Sequence, residues 1–226
     1  ENACVAVTRQ RGALRLKAPS TLTMRWLLGT LEGFHMANPQ NRVQLTSAWM
    51  DLDAVDFSSE PFDCAILLGN GGFPADWRRV KLFDEWLVPV CAPELLGTTA
   101  WTTQRLGEAE LIHPSRDCRD WRRWLQRTGR ADQIAWQQGK LFDTLELGIS
   151  AAAQGHGVSI GDLALVGAEL QRGSLVLPFH QAVKSGDSYY LVWPGGGDES
   201  ATLMRMRDYL LEHLPDVTSQ GVELLD

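Results

Sequence analysis

Paired cysteines, long apolar runs and a signal peptide are all missing from this sequence. The cysteines stand far apart without a Cys-x-x-Cys pair, at Cys4, Cys64, Cys91 and Cys118. We therefore expect reduced thiols in a cytoplasmic protein. No stretch approaches the roughly 18 apolar residues that a membrane helix needs, and the first residues lack the basic and apolar regions of a signal peptide. These absences predict a chain with no membrane partner.

Positive charge is also scarce. The sequence has 21 Lys and Arg residues and 28 Asp and Glu residues, which give a net charge of −7. Phosphate affinity comes from Lys and Arg, so the chain as a whole is not expected to bind nucleic acid. Arginines are dense between residues 116 and 130, but Asp117 and Asp120 interrupt them, which favours a solvated helix face over a nucleic-acid stripe. The five histidines lack zinc-ligand spacing, and we expect no metal and no cofactor.

Strand patterns and helix patterns alternate along the 226 residues, which predicts an α/β fold with largely parallel sheets. The predicted strands are 14–18, 43–49, 63–68, 80–90, 111–113, 134–136, 157–160 and 188–193. The predicted helices are 22–36, 93–96, 117–129, 143–154, 162–171 and 198–214. Ser20, Thr21, Asp143 and Asp198 are the expected helix caps.

The segment Leu82–Leu96 indicates how the chain is divided. Pro89 cannot donate to a strand ladder, which fits a point where the chain crosses from one sheet to another. Ser188–Trp193 is the predicted return crossing. The sequence thus predicts two Rossmann-like lobes joined by two crossover strands, with a cleft between them where small molecules bind. The expected divisions are 1–12 as the end of a linker, 13–90 plus 192–216 as lobe I, 91–191 as lobe II, and 217–226 as a tail.

Four places along the chain are candidates for ligand contact. Ser20 and Thr21 begin a predicted helix, where hydroxyls and free N–H groups suit a carboxylate. Gly69–Gly72 follows a buried strand and either lines a cleft or forms a plain turn. His113 ends a short strand, so its ring faces the cleft or satisfies a structural neighbour. Asp143 either binds an amine or only caps its helix.

Two glycine motifs have weaker functional interpretations. Gly157–Gly161 matches G-x-S-x-G, and Asp187 and His213 follow in the order of a hydrolase triad. A hydrolase needs a strand before the first glycine, however, and here a predicted helix precedes it. A buried strand flanked by glycines is favoured. Gly195–Gly197 precedes two acidic residues, which would repel a phosphate, so we interpret it as a hinge or turn.

Four stretches together resemble the effector-binding domain of LysR-type transcriptional regulators. They are Gly12–Thr21 with Arg25–Leu28, then Phe62–Gly71, Leu87–Leu96, and Ala153–Gly161 with Leu170–Phe179. Their order and spacing make the match specific, and it covers residues 12 to 214. The branch resembled contains the glycine-cleavage and β-lactamase activators, with their Trp-Leu in the first helix. Leu67 departs from that branch, where an arginine is common.

The resemblance implies a fold like a type II periplasmic binding protein, with a small-molecule effector in the cleft. A DNA-reading winged helix-turn-helix would precede residue 1. Family dimers imply a homodimer of this domain, a tetramer at full length, and a dimer face on the first helix and Val43–Trp49. The cleft residues carried over by position are Ser20, Thr21, Gly69, Asn70, His113, Phe142, Val158 and Ile160.

We therefore predict an effector-sensing regulatory domain of a DNA-binding transcriptional regulator, and not an enzyme. One alternative is a secreted solute-binding protein of the same fold. A remote alternative is a serine hydrolase that uses Ser159.

Overall fold

The computed structural model describes residues 12–48, 55–196, 199–218 and 221–226. The strands are β1 (Leu14–Pro19), β2 (Val43–Ala48), β3 (Cys64–Gly69), β4 (Trp77–Val90), β5 (Leu111–His113), β6 (Lys140–Leu141), β7 (Val158–Asp162), β8 (Gln181–Pro194) and β9 (Glu223–Leu225). The helices are α1 (Ser20–Leu22), α2 (Leu28–Ala37), α3 (Pro93–Leu96), α4 (Thr103–Glu108), α5 (Arg119–Arg127), α6 (Leu145–Ala153), α7 (Leu163–Arg172) and α8 (Ala201–Glu212). A π-helical turn, Thr23–Leu27, joins α1 to α2, and a 3₁₀ turn spans Ala131–Gln133.

The strands form one mixed sheet in the order β2-β1-β3-β8-β4-β7-β5-β6, with β9 beside β8. At one end β1 pairs in parallel with β2 and β3, and at the other β5 pairs in parallel with β6 and β7. The two long strands β4 and β8 run antiparallel to each other through the middle. They connect the two parallel groups, so the prediction of an α/β fold with two crossing strands is confirmed.

Pro89 sits where β4 has a strand on one side only. It pairs with Ile160 of β7, whereas the last β8 partner of β4 is Val183, opposite Leu87. Further along, Cys91 forms an isolated bridge to Val176. A residue without an N–H therefore costs no ladder hydrogen bond toward β8 at this position.

The first helical segment, residues 20–37, begins two residues earlier than predicted and is capped differently. Its N-cap residue is Pro19, and no side chain accepts a hydrogen bond there. Ser20 and Thr21 are thus first-turn residues, and their predicted role as caps is wrong. Pro19 is extended, with φ −61° and ψ 141°, and the helix begins directly after it, so both hydroxyl residues lie inside the helix and not at its N-cap.

Two other caps also differ from prediction. Thr144, not Asp143, accepts from the Leu147 N–H and caps α6. Ser200 accepts from the Leu203 N–H and caps α8. The predicted cap Asp198, the strand end Trp49 and linker residues 1–11 lie outside the described residues.

Two strand predictions need correction. Residues 134–136 are not a strand, because the Trp136 N–H donates back to Ile134 O at 2.8 Å in a local turn. The strand in this region is β6, from Lys140 to Leu141. β8 begins at Gln181, seven residues before the predicted start. Its first half is polar, so alternation of apolar residues did not reveal it, and pairing with β4 and β9 holds it extended.

Helix α5 packs its predicted apolar face into the interior. Trp121 and Trp124 are fully buried, and each indole N–H donates to a backbone carbonyl at 2.9 Å, on Ile112 and Gln181. At the other end of the sheet, the segment 20–37 and α8 bury Phe34 and Met206 against β1 and β3. Within the part of the chain described, no helix has the length and apolar character needed to span a membrane.

Candidate ligand-binding cleft

A cavity of about 510 Å³ opens between the two ends of the sheet. That volume is within the range of small-molecule sites. Its walls come from both parallel groups and from the crossing strands. The polar and charged residues that line it are Ser20, Thr21, Asn70, Glu85, Ser115, Arg116, Arg119, Asp120, Arg123, Asp143, Thr144, Asp187 and Tyr189.

One wall carries the start of the first helical segment and the loop after β3. Ser20 and Thr21 lie in the first turn, where backbone N–H groups lack intrahelical acceptors. Asn70 shapes its own turn, because its Oδ1 accepts from the Gly72 N–H at 3.0 Å. Phe73 stacks on Trp77 with ring centroids 6.4 Å apart and adds an apolar surface to this wall.

The opposite wall is rich in arginine. Arg116, Arg119 and Arg123 project from the loop before α5 and from α5 itself, and all three line the cavity. Arg116 pairs with Asp143 at 2.9 Å, and Arg123 pairs with Asp187 at 3.0 Å. The interpretation of these arginines as a solvated face fits Arg116, whose side chain is 75% exposed, whereas Arg119 is largely buried, with 19% of its side chain exposed.

Buried carboxyl groups lie in and beneath the cavity. Glu85 on β4 is 6% exposed and lines it. Burial, together with the nearby acids Asp162 and Asp120, raises the pKa of Glu85 to about 8. Burial also raises the pKa of Asp162 to about 7, although its Oδ1 accepts from the Trp86 and Ala164 N–H groups. Burial raises the pKa of Asp120, whose Oδ2 accepts from the Ser115 hydroxyl at 2.8 Å.

The structure brings four of the eight predicted effector contacts to the cavity. Ser20, Thr21, Gly69 and Asn70 line one wall together. Asp143, the candidate amine partner or cap, also lines the cavity.

The other four, His113, Phe142, Val158 and Ile160, are not among the residues that line the cavity. His113 is fully buried, and its Nε2 lies 3.0 Å from Gln138 O, as the structural alternative anticipated. Val158 and Ile160 are fully buried because they pack in the core cluster that contains Trp121 and Trp124. Phe142 packs against the core around Ile149.

Ser159 has the surroundings of a core residue. It is fully buried in β7, and its hydroxyl donates to the carbonyl of Ile160 at 3.2 Å. The other two members of the supposed triad are engaged elsewhere. Asp187 pairs with Arg123, and the His213 ring stacks on Tyr209 with centroids 3.9 Å apart. Neither Asp187 nor His213 is therefore placed to act with Ser159.

The family model for the LysR substrate binding domain matches residues 8–215. The chain belongs to this family. The resemblance inferred from the four sequence stretches is thereby confirmed.

Two curated relatives belong to the branch that the sequence resembled, the branch of the glycine-cleavage and β-lactamase activators. The chain is 29% identical over 203 residues to the glycine cleavage system transcriptional activator of Escherichia coli strain K12, covering 89% of this chain and 65% of that protein. It is 29% identical over 202 residues to the HTH-type transcriptional activator AmpR of Pseudomonas aeruginosa, covering 89% and 66%. The chain thus spans slightly under two thirds of the length of these curated relatives.

A solved structure has the same fold as this chain. The effector domain of the transcriptional regulator AmpR of P. aeruginosa superposes with a TM-score of 0.75 at 28% identity, covering 88% of this chain and 94% of that one. The type II periplasmic-binding-protein-like fold is therefore confirmed. The chain is a LysR substrate-binding domain of the transcriptional-regulator type, and the solute-binding and hydrolase alternatives are not favoured.

Proposed function

We propose that this chain senses a small-molecule effector in the cavity between its two parallel strand groups, and that it acts by binding, with no chemistry performed on the ligand. The observation that carries the proposal is the composition of the cavity walls. Ser20, Thr21 and Asn70 approach from one end of the sheet, whereas Arg116 and Asp143 approach from the other.

A ligand that touches both walls has different affinities for arrangements in which the walls lie at different distances from each other. The sheet passes from one parallel group to the other through β4 and β8. A ligand that fits one arrangement better shifts the population toward it, by no more than its difference in affinity for the two states. We assign one lobe to residues 13–90 and 192–216, and the other to 91–191.

Ser20 and Thr21 are the proposed contacts for an anionic group on the ligand. Their helical segment presents first-turn N–H groups and the positive end of the helix dipole to the cavity. Asn70 adds an amide on the same wall. His113, Phe142, Val158 and Ile160 are not proposed as contacts.

The remaining parts of the function concern the longer protein. We propose that a DNA-binding domain precedes this chain, that it reads promoter DNA in the cytoplasm, and that the chain pairs with a second copy. The first helical segment supports the pairing, because Met24 and Leu28 are half exposed one turn apart. β2 lies beside it as the edge of the sheet. A tetramer is proposed for the full-length protein.

The experiment is a thermal-shift screen of small carboxylates, amino acids and short peptides, repeated on Ser20→Ala and Thr21→Ala. A ligand that binds only the folded state raises the melting temperature. We expect both substitutions to reduce the ligand shift while the unliganded chain stays folded. Thr103→Ala is the matched control, since Thr103 begins helix α4 away from the cavity. Equal shifts in all four proteins would refute the assignment of the site.

A further inference from the structure

Glu85 is the carboxylate in the cavity that has no cationic partner. It is 94% buried on β4, between Asp84 and Trp86, and it lines the cavity. No basic side chain of the described residues forms an ion pair with it. Arg123 is paired with Asp187, and Arg119 lies 3.9 Å from both Asp117 and Asp120.

Several acids surround Glu85, and two of them also have an arginine nearby, Arg119 beside Asp120 and Arg123 beside Asp187. Asp162 at the end of β7, Asp120 on α5 and Asp187 on β8 all raise its pKa, and the Ser185 hydroxyl, by hydrogen bonding, lowers it. Charged groups this deeply buried are normally paired. Burial is the main reason that the pKa of Glu85 is raised, and the negative charges of Asp162, Asp120 and Asp187 add to it. Those charges favour a cation at this position, and the cavity gives a cation access to it.

We propose that Glu85 forms an ammonium-binding subsite, and that the effector of this chain carries a protonated primary amine. The inference rests on the proposed function. An alkylammonium has three N–H donors and no acceptor, which suits adjoining carboxylates. Asp120 supplies a second carboxyl group, because its side chain also lines the cavity. The Ser115 hydroxyl donates to Asp120 Oδ2 and fixes the orientation of that group.

The proton balance of the binding step follows from this arrangement. The neutral Glu85 carboxyl gives its proton to solvent, and the ligand ammonium takes that place beside the carboxylate. One proton is thus released for each ligand bound at a pH below the pKa of Glu85. Affinity is expected to rise about tenfold between pH 6 and pH 7 and to level off above pH 8.

The test uses ethanolammonium chloride, with ethylene glycol as its uncharged isostere and KCl at equal ionic strength. Binding to the intact chain is followed by NMR shifts and by melting temperature at pH 6, 7 and 8. Glu85→Gln removes the charge and keeps the shape, and the variant should fold because Glu85 is mostly neutral at pH 7. Glu94→Gln removes the same charge at an exposed position in α3.

We expect ethanolammonium, and not the two controls, to shift signals around the cavity. Glu85→Gln should weaken binding at least tenfold at pH 8 and abolish its pH dependence, whereas Glu94→Gln should behave as wild type. The proposal is overturned by no ethanolammonium response at 100 mM, or by the same response in Glu85→Gln.

A separate outcome distinguishes this subsite from the proposed function. An amine-free ligand that stabilises wild type and Glu85→Gln equally, and that loses its effect in Thr21→Ala, would overturn the ammonium subsite and leave effector sensing in the cleft supported.

Discussion

Arg25 provides the sharpest test of how the two ends of the sheet are held together. It lies in the π-helical turn after Ser20 and Thr21, and its side chain is 9% exposed. Its Nε and Nη2 donate to the two carboxylate oxygens of Glu146 on α6 at 2.6 and 2.8 Å. Its Nη1 lies 3.0 Å from Glu169 on α7. The Arg25 guanidinium thus connects the first helical segment, on one side of the cavity, to helices α6 and α7 from the other end of the sheet.

We expect Arg25→Met to destabilise the chain by about 3 kcal/mol. Removing one partner of a buried ion pair costs roughly 3–5 kcal/mol, because the remaining charge is left uncompensated. The lower end of that range applies here, since Glu146 and Glu169 keep 24% and 20% of their side chains exposed and water can solvate them in part. For a chain of this size, a loss of this amount lowers the melting temperature by about 6–12 °C.

The assay is urea and thermal unfolding followed by circular dichroism, with Arg172→Met as the matched control. Arg172 pairs with the same Glu169 at 2.9 Å but is 66% exposed, so its loss should cost under about 1 kcal/mol. The triple variant Arg25→Met, Glu146→Gln, Glu169→Gln should recover part of the stability, because it removes the orphaned charges. Equal effects of Arg25→Met and Arg172→Met would refute the reasoning.

Two further predictions concern pH and capping. Glu85 and Asp162 have folded-state pKa values of about 8 and 7, above the ordinary range of about 4. The folded chain therefore binds more protons than the unfolded chain, and its free energy of unfolding should fall as pH rises from about 4 to 8. Urea titrations should show a smaller fall in Glu85→Gln. A free energy of unfolding that rises over this pH range would contradict the prediction. Ser200→Ala should cost about 1 kcal/mol in the same assay through loss of the α8 cap, and a negligible change would mean that Ser200 is not the effective cap.

Local patterns predicted the elements well where burial and periodicity agree. Trp121 and Trp124 recur on one face of a helix, and that face is buried. Pro89 marked the crossing because the missing N–H is tolerated only where a strand lacks a neighbour on one side. The polar first half of β8 escaped notice, because its strand conformation depends on β4 and β9 and not on its own alternation.

Four of the eight predicted contact residues line the cavity, because the position of a residue in a strand does not say which way its side chain points. Gly69 and Asn70 follow a strand whose end meets the cavity, and the rule about strand ends succeeded there. His113 also ends a strand, but the rule does not say which way a side chain points, and its ring turns toward Gln138. Val158 and Ile160 face the core around Trp121 and Trp124, so the matched positions point away from the cavity.

The sequence by itself determined most of the order of helices and strands, the two crossings and the family, because these depend on local periodicity, on proline and on motif spacing. Tertiary structure alone decided which charges meet. Arg25 and Glu146 are separated by 121 residues in the chain yet form two hydrogen bonds. Glu85 follows Asp84 on β4, and nothing in that stretch of sequence indicates which acids surround it. Packing of β4 against β7, β8 and α5 brings Asp162, Asp187 and Asp120 close to Glu85, and their charges support the proposed preference of the cavity for a cation.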